Sequence, residues 1–167
     1  MAFSPRSFSE RVRRNHALEH ATLHVLAREM PQLSLVGRSD GQGFALYGEV
    51  DTESVRNATA EAFERLRAGE GHLAVHPNCG TNMAVGMLLA VGALAISWLG
   101  SRKSKAPRWP LAVLGVAGAL TLSVPLGPEV QRRWTTDPDM DGVTVTEVSC
   151  VRRGKLPVHR VRIEHSI

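Results

Sequence analysis

Apolar and polar positions change rhythm several times along the chain, and each rhythm predicts an element. Residues 8–30, FSERVRRNHALEHATLHVLAREM, predict one long helix that Ser7 or Ser9 caps and Pro31 stops. Two short β-type runs follow, 33–37 and 44–50. The turn formers Ser39-Asp-Gly-Gln-Gly43 lie between them, so the pair predicts a hairpin. Asp51 heads a second helix over 52–68, in which Val55, Ala58, Ala62, Phe63 and Leu66 recur at helical spacing. Residues 72–76 alternate as a strand, placing His72, Ala74 and His76 on one face. Beyond a polar turn at 135–142, residues 143–151 and 158–165 alternate again and predict a second hairpin.

Between these patterned parts the alternation disappears. Residues 82–99 and 110–125 are apolar runs near the roughly 20 residues that cross a bilayer. No Asp, Glu, Lys or Arg occurs from 71 to 101 or from 109 to 128. Trp98 and Trp109 flank the joining loop, as an aromatic belt would. Gly86 and Ala90 in the first run, and Gly115 and Ala119 in the second, are spaced for close helix approach. A buried helical hairpin in a soluble core is the alternative. Uncharged runs with Trp and basic flanks match the membrane pattern better.

A lone β-hairpin is marginal in water, so the C-terminal hairpin is expected to join the N-terminal strands. Two spans put both flanking segments on one side of a membrane and allow this. The expected fold is an α+β membrane-surface domain, α-β-β-α-β plus a C-terminal β-hairpin, interrupted by a two-helix transmembrane hairpin. Its parts would be 1–80, 81–128 and 129–167.

Charge narrows the function. The chain carries a net +4, which invites a nucleic-acid reading. Residues 1–80 hold nine Arg against ten Asp/Glu, and residues 129–167 hold seven Lys/Arg against six Asp/Glu. The excess therefore sits in the loop 100–108, with Arg102, Lys103, Lys105 and Arg108. A phosphate-binding surface needs clustered cations on a folded face, so the expected partner is the lipid bilayer and not nucleic acid. A membrane-protein partner or a homo-oligomer fits the same surface. The positive-inside rule places loop 100–108 in the cytoplasm of a two-span cell-membrane protein. The first 14 residues show no apolar core before their arginines, unlike a secretory signal peptide, so the first span is expected to direct insertion. Cys79 and Cys150 alone make no disulfide framework.

The candidate chemistry lies on the first helix, in His16-Ala-Leu-Glu19-His20. Histidines four apart share a helix face and suit one metal ion, zinc first. His24 continues the stripe. With His16 at 0° and about 100° per residue, Glu19 falls at about 300°, among Phe8, Val12, Leu23, Leu26 and Met30. A carboxylate there needs a donor, a cation or a metal site. Glu19 is the candidate general base. His76, Cys79 or His24 would be the third ligand, and Cys79 reads equally as a small apolar residue. The alternative is a non-enzymatic membrane scaffold or assembly factor whose His/Glu cluster is a structural polar network. Asp40-Gly-Gln-Gly43 lacks the length and Lys of a phosphate loop, and Asp137–Gly142 lacks the closing Glu of a calcium loop.

Three segments, Asn15-His-Ala-Leu-Glu-His-Ala-Thr-Leu-His24, Gly37-Arg-Ser-Asp-Gly-Gln-Gly-Phe44 and His76-Pro-Asn-Cys-Gly-Thr-Asn82, together resemble an uncharacterised family of small two-span membrane proteins known from bacteria and plastids. That resemblance implies no known activity. Separately, His16-x-x-Glu19-His20 is similar to the inverted zinc motif of pitrilysin- and insulinase-type metallopeptidases. This similarity implies zinc held by the two histidines, with the glutamate as base. It covers five residues, and Glu61 and Glu64 do not match the spacing of those enzymes' distant glutamate ligand.

Overall fold

A computed structural model of the chain describes residues 7–99, 109–153 and 156–166. The basic loop 100–108 and residues 154–155 lie outside the described residues. The chain divides into two compact units, Met1–His76 with Arg132–Ile167, and Pro77–Gln131.

In the first unit, α1 (Phe8–Glu29) begins at a capping box. The Ser7 hydroxyl accepts from the Glu10 N–H, and the Glu10 carboxylate accepts from the Ser7 N–H. The strands β1 (Val36–Asp40) and β2 (Gly43–Tyr47) form the first hairpin. β1 starts three residues later than the 33–37 expectation and takes in polar Ser39 and Asp40. The two-residue turn Gly41-Gln42 fixes this register, pairing Asp40 with Gly43. Gly43 has φ +133°, and a Cβ there would run into the Val161 carbonyl. Next comes α2 (Thr52–Arg67), whose N-cap Asp51 accepts from the Glu53 and Ser54 N–H groups.

Residues 72–76 are not a strand. Gly71–Ala74 form a 3₁₀ turn that buries consecutive Leu73 and Ala74. A strand would turn one of the two outward. His72 is exposed and does not share a face with His76 as expected.

The C-terminal strands β3 (Val143–Arg153) and β4 (Leu156–His165) complete an antiparallel sheet of order β1-β2-β4-β3. β4 lies between β2 and β3, so the hairpin joins the N-terminal strands in one α+β unit. Leu18, Val25 and Leu26 of α1 pack with Phe44, Leu46, Val55, Val161 and Ile163 in the core. The helical wheel was too narrow here. Phe8 is 65% exposed, while Asn15, Ala17, Leu18, Glu19, His20 and Ala21 are buried around the whole circumference. The middle turns of α1 are enclosed on every side, so no single stripe describes them. Buried Arg14 is held by the C-terminal segment. It donates to the Asp141 carbonyl at 2.7 Å and pairs with Asp139 and Asp137.

The second unit holds two apolar helices, α3 (Gly80–Leu99) and α4 (Trp109–Val130). Both are long and apolar enough to cross a membrane. α4 outruns the expected 110–125 span because Pro125 and Pro128 lie inside it, each costing one backbone donor without ending the helix. The helices meet through small residues. A Cβ on Gly86 would touch Ser123 Oγ at 3.3 Å, and one on Gly115 would touch Ala93 Cβ at 3.4 Å. Gln131 Nε2 donates to Asn82 Oδ1 at 2.6 Å.

Candidate metal centre

The spacing of four along α1 stacks His16, His20 and His24 in one stripe. The 3₁₀ turn brings the segment Ala74–His76 against it. The rings of His16 and His20 are 4.2 Å apart between centroids, those of His20 and His76 5.7 Å, and those of His76 and His24 4.9 Å. The ligand-capable nitrogens of His16 and His20 lie within 4.8 Å of each other.

Backbone carbonyls orient three of these rings. His16 Nδ1 lies 2.9 Å from the Thr135 carbonyl, at the end of a π-helical turn (Gln131–Thr135). His20 Nδ1 lies 2.8 Å from the Ala74 carbonyl, and His24 Nε2 lies 2.8 Å from the Val75 carbonyl. A carbonyl oxygen only accepts, so each of those nitrogens carries the proton. In the neutral ring the other nitrogen then holds the lone pair: Nε2 of His16 and His20, and Nδ1 of His24. Metal-binding histidines are commonly oriented in this way. His76 is pushed down to about 4 by burial, with His24 and His20 adding to the effect. It is therefore a neutral imidazole at physiological pH.

Glu19 is 4% exposed, as its place on the wheel implied. Its carboxylate turns toward β1, where it lies against Gly37 and accepts a hydrogen bond from the Ser39 hydroxyl. Burial raises its pKa, while the Ser39 bond and the neighbouring His16 oppose the rise. The Ser39 hydrogen bond makes it a satisfied structural group.

Cys79 stands in the second unit, where it is buried and its Sγ accepts from the Thr81 N–H at 3.4 Å. Chain connectivity keeps it three residues from His76.

Sequence reasoning passed over Gly37, Ser39 and Thr135 as site residues. Alternation along β1 sets 37 and 39 on one face, and both lie in the Gly37–Phe44 motif. That rhythm was the available signal. Thr135 is 119 residues from His16, and no local pattern marks it. Asn15 ties two motifs together: its Nδ2 donates to the Asp40 carbonyl at 2.7 Å, and its Oδ1 lies 2.9 Å from His165 Nε2.

The chain is 40% identical over 137 residues to an uncharacterized protein of Picosynechococcus sp., a match covering 75% of this chain. It spans 65% of the length of that relative, just under two thirds. No solved structure matches it. The profile of the Domain of unknown function (DUF6391) matches residues 11–148, from the first turns of α1 into β3, and the chain belongs to that family.

Proposed function

We propose that this is a two-span integral membrane protein that carries a zinc site on α1, with hydrolysis at that site as its activity. The orientation of the imidazoles carries the metal reading. Three rings with one nitrogen tied to a carbonyl, and a fourth held neutral by burial, make a set of lone pairs that suits a borderline cation. His16 and His20 are the ligands, and the third comes from His76, His24 or Cys79. A three-residue tether spans at most about 10 Å, which keeps Cys79 in the reckoning. The metal, when bound, supplies an acidified water. Glu19, with its raised pKa and its Ser39 donor, is the group that exchanges the proton.

The test is metal analysis of the full chain purified in detergent. Wild type is expected to hold about one zinc per chain, and His16→Ala/His20→Ala about none. Glu19→Gln should keep the zinc and lose any hydrolytic activity. Single variants at His76, His24 and Cys79 identify the third ligand by which one loses zinc. The second reading, a non-enzymatic scaffold, is favoured by the satisfied state of Glu19 against Gly37 and Ser39. Metal-free wild-type protein, with Glu19→Gln at least as stable, would establish that reading and end the hydrolase one.

The membrane reading rests on exposed apolar surface. Leu88 is 73% exposed, Ile96 74% and Leu114 68%, on helices that carry no charge along their middle turns. A soluble protein rarely leaves such an area to water. Carbonate-washed membranes are expected to retain the protein in the pellet, and release to the supernatant would contradict the assignment. The positive-inside rule puts loop 100–108 in the cytoplasm. A cysteine introduced into that loop should resist labelling from outside intact cells, and labelling would reverse the orientation.

A further inference from the structure

The chain leaves its second apolar helix through a cationic turn. α4 and the π-helical turn after it run without a break from Trp109 to Thr135. Trp109 at one end and Trp134 at the other are both exposed. At about 1.5 Å per residue the two positions stand roughly 37 Å apart along the axis. A bilayer measures about 30 Å across its hydrocarbon and about 40–45 Å with its headgroups. With Trp109 at one boundary, Trp134 and the exposed Arg132 and Arg133 therefore reach the headgroup level of the other. Arg13 of α1 joins them. Its Nη2 donates to the Arg133 carbonyl at 3.3 Å and to the Thr136 carbonyl at 3.2 Å.

We propose that Arg132, Arg133, Trp134 and Arg13 form a headgroup site for an anionic phospholipid, where the second span meets the membrane surface. The inference rests on the two-span reading and names the lipid class which that reading leaves open. Charge selects the class. From 109 to 135 the sequence carries one acid, Glu129, against Arg132 and Arg133, and Arg13 adds a third cation. The next acids along the chain, Asp137 and Asp139, pair with Arg14. Glu10, one turn before Arg13, closes the capping box of α1. The site therefore keeps a net positive charge at headgroup depth. A zwitterionic headgroup brings no net charge to meet it, whereas an anionic one does. Guanidinium groups match phosphate oxygens in geometry as well as in charge. An indole belongs at the same depth, with an apolar body and one N–H donor.

The test uses the full chain carrying Trp98→Phe and Trp109→Phe, which leaves Trp134 as the one tryptophan. It is reconstituted in phosphatidylcholine vesicles with a small share of lipid brominated high on its acyl chains. That lipid is either phosphatidylglycerol or phosphatidylcholine, at equal mole fraction. Brominated phosphatidylglycerol should quench Trp134 more strongly, by an association constant at least about fivefold greater. Arg132→Gln/Arg133→Gln should bring that ratio to about one, while quenching by phosphatidylcholine stays as in the parent. Arg102→Gln/Lys103→Gln, in the other basic segment, should leave the ratio as it was. Equal quenching by the two lipids overturns the proposal, and so does a preference that survives the loss of Arg132 and Arg133. A preference abolished by inorganic phosphate at constant ionic strength would assign these cations to a free anion and overturn it too. Quenching by neither lipid also overturns it. Carbonate washing then separates the two readings: release of the protein ends the two-span reading as well, and retention in the pellet leaves it standing.

Discussion

A chain truncated after Pro128 is expected to lose the protease resistance of residues 7–76. The reason is the position of β4 between β2 and β3. Without it, β1 and β2 remain as a two-stranded hairpin of five residues a side, which is marginal in water. The truncation also strips Met140, Val143, Val161 and Ile163 from the core, each 6% exposed or less. Burying one such side chain contributes about 1.5–3 kcal/mol, so four contribute on the order of 6–12 kcal/mol. Net domain stability is only about 5–15 kcal/mol, so the loss is comparable to the whole. Arg14 would meanwhile lose Asp137, Asp139 and the Asp141 carbonyl while still sitting among buried residues. Limited proteolysis of the full chain and the truncated one, both in detergent, decides the matter. A fragment of residues 7–76 that resists digestion equally in both would show that the N-terminal segment folds without its C-terminal strands.

The legible parts of the fold were those set by local chemistry. Asp51 and Ser7 cap their helices through hydrogen bonds to N–H groups at most three residues away, so sequence spacing alone marks the starts of α2 and α1. The two apolar helices were marked by composition. What escaped was set at a distance. Residues 72–76 alternate as a strand would, but the Leu73–Ala74 pair is drawn under α1, where the Ala74 carbonyl meets His20. Tertiary burial overrode the two-residue rhythm. The stripe of His16, His20 and His24 was visible on α1, and so was the burial of Glu19. The partners of these groups were not, because Ser39 is 20 residues from Glu19 and Val75 is 51 from His24. A sequence shows which side chains need partners and seldom which long-range groups supply them.

Gly37→Ala is expected to destabilise the first unit through Glu19. A Cβ at position 37 would overlap the Glu19 carboxylate, which is buried and bonded to Ser39. The clash cannot be relieved at the far end of a solvated side chain, because the carboxylate has no room to move into water. Forcing an extra carbon into a packed site costs about 1–3 kcal/mol. Pulling the carboxylate from its Ser39 donor while it stays buried adds roughly 1–3 kcal/mol more. The single variant should therefore fall by about 2–6 kcal/mol in denaturant unfolding. Glu19→Ala on its own opens a space where the carboxylate lay, and the methyl group of Gly37→Ala fits that space. The double variant Glu19→Ala/Gly37→Ala should thus be more stable than the sum of the singles predicts, by at least about 1 kcal/mol of coupling. Gly37→Ala should leave the histidines in place, since the carbonyls that orient them belong to Ala74, Val75 and Thr135. Additive singles would mean that Glu19 does not occupy the space beside Gly37. The buried carboxylate would then need another donor, and the assignment of Ser39 would fall with it.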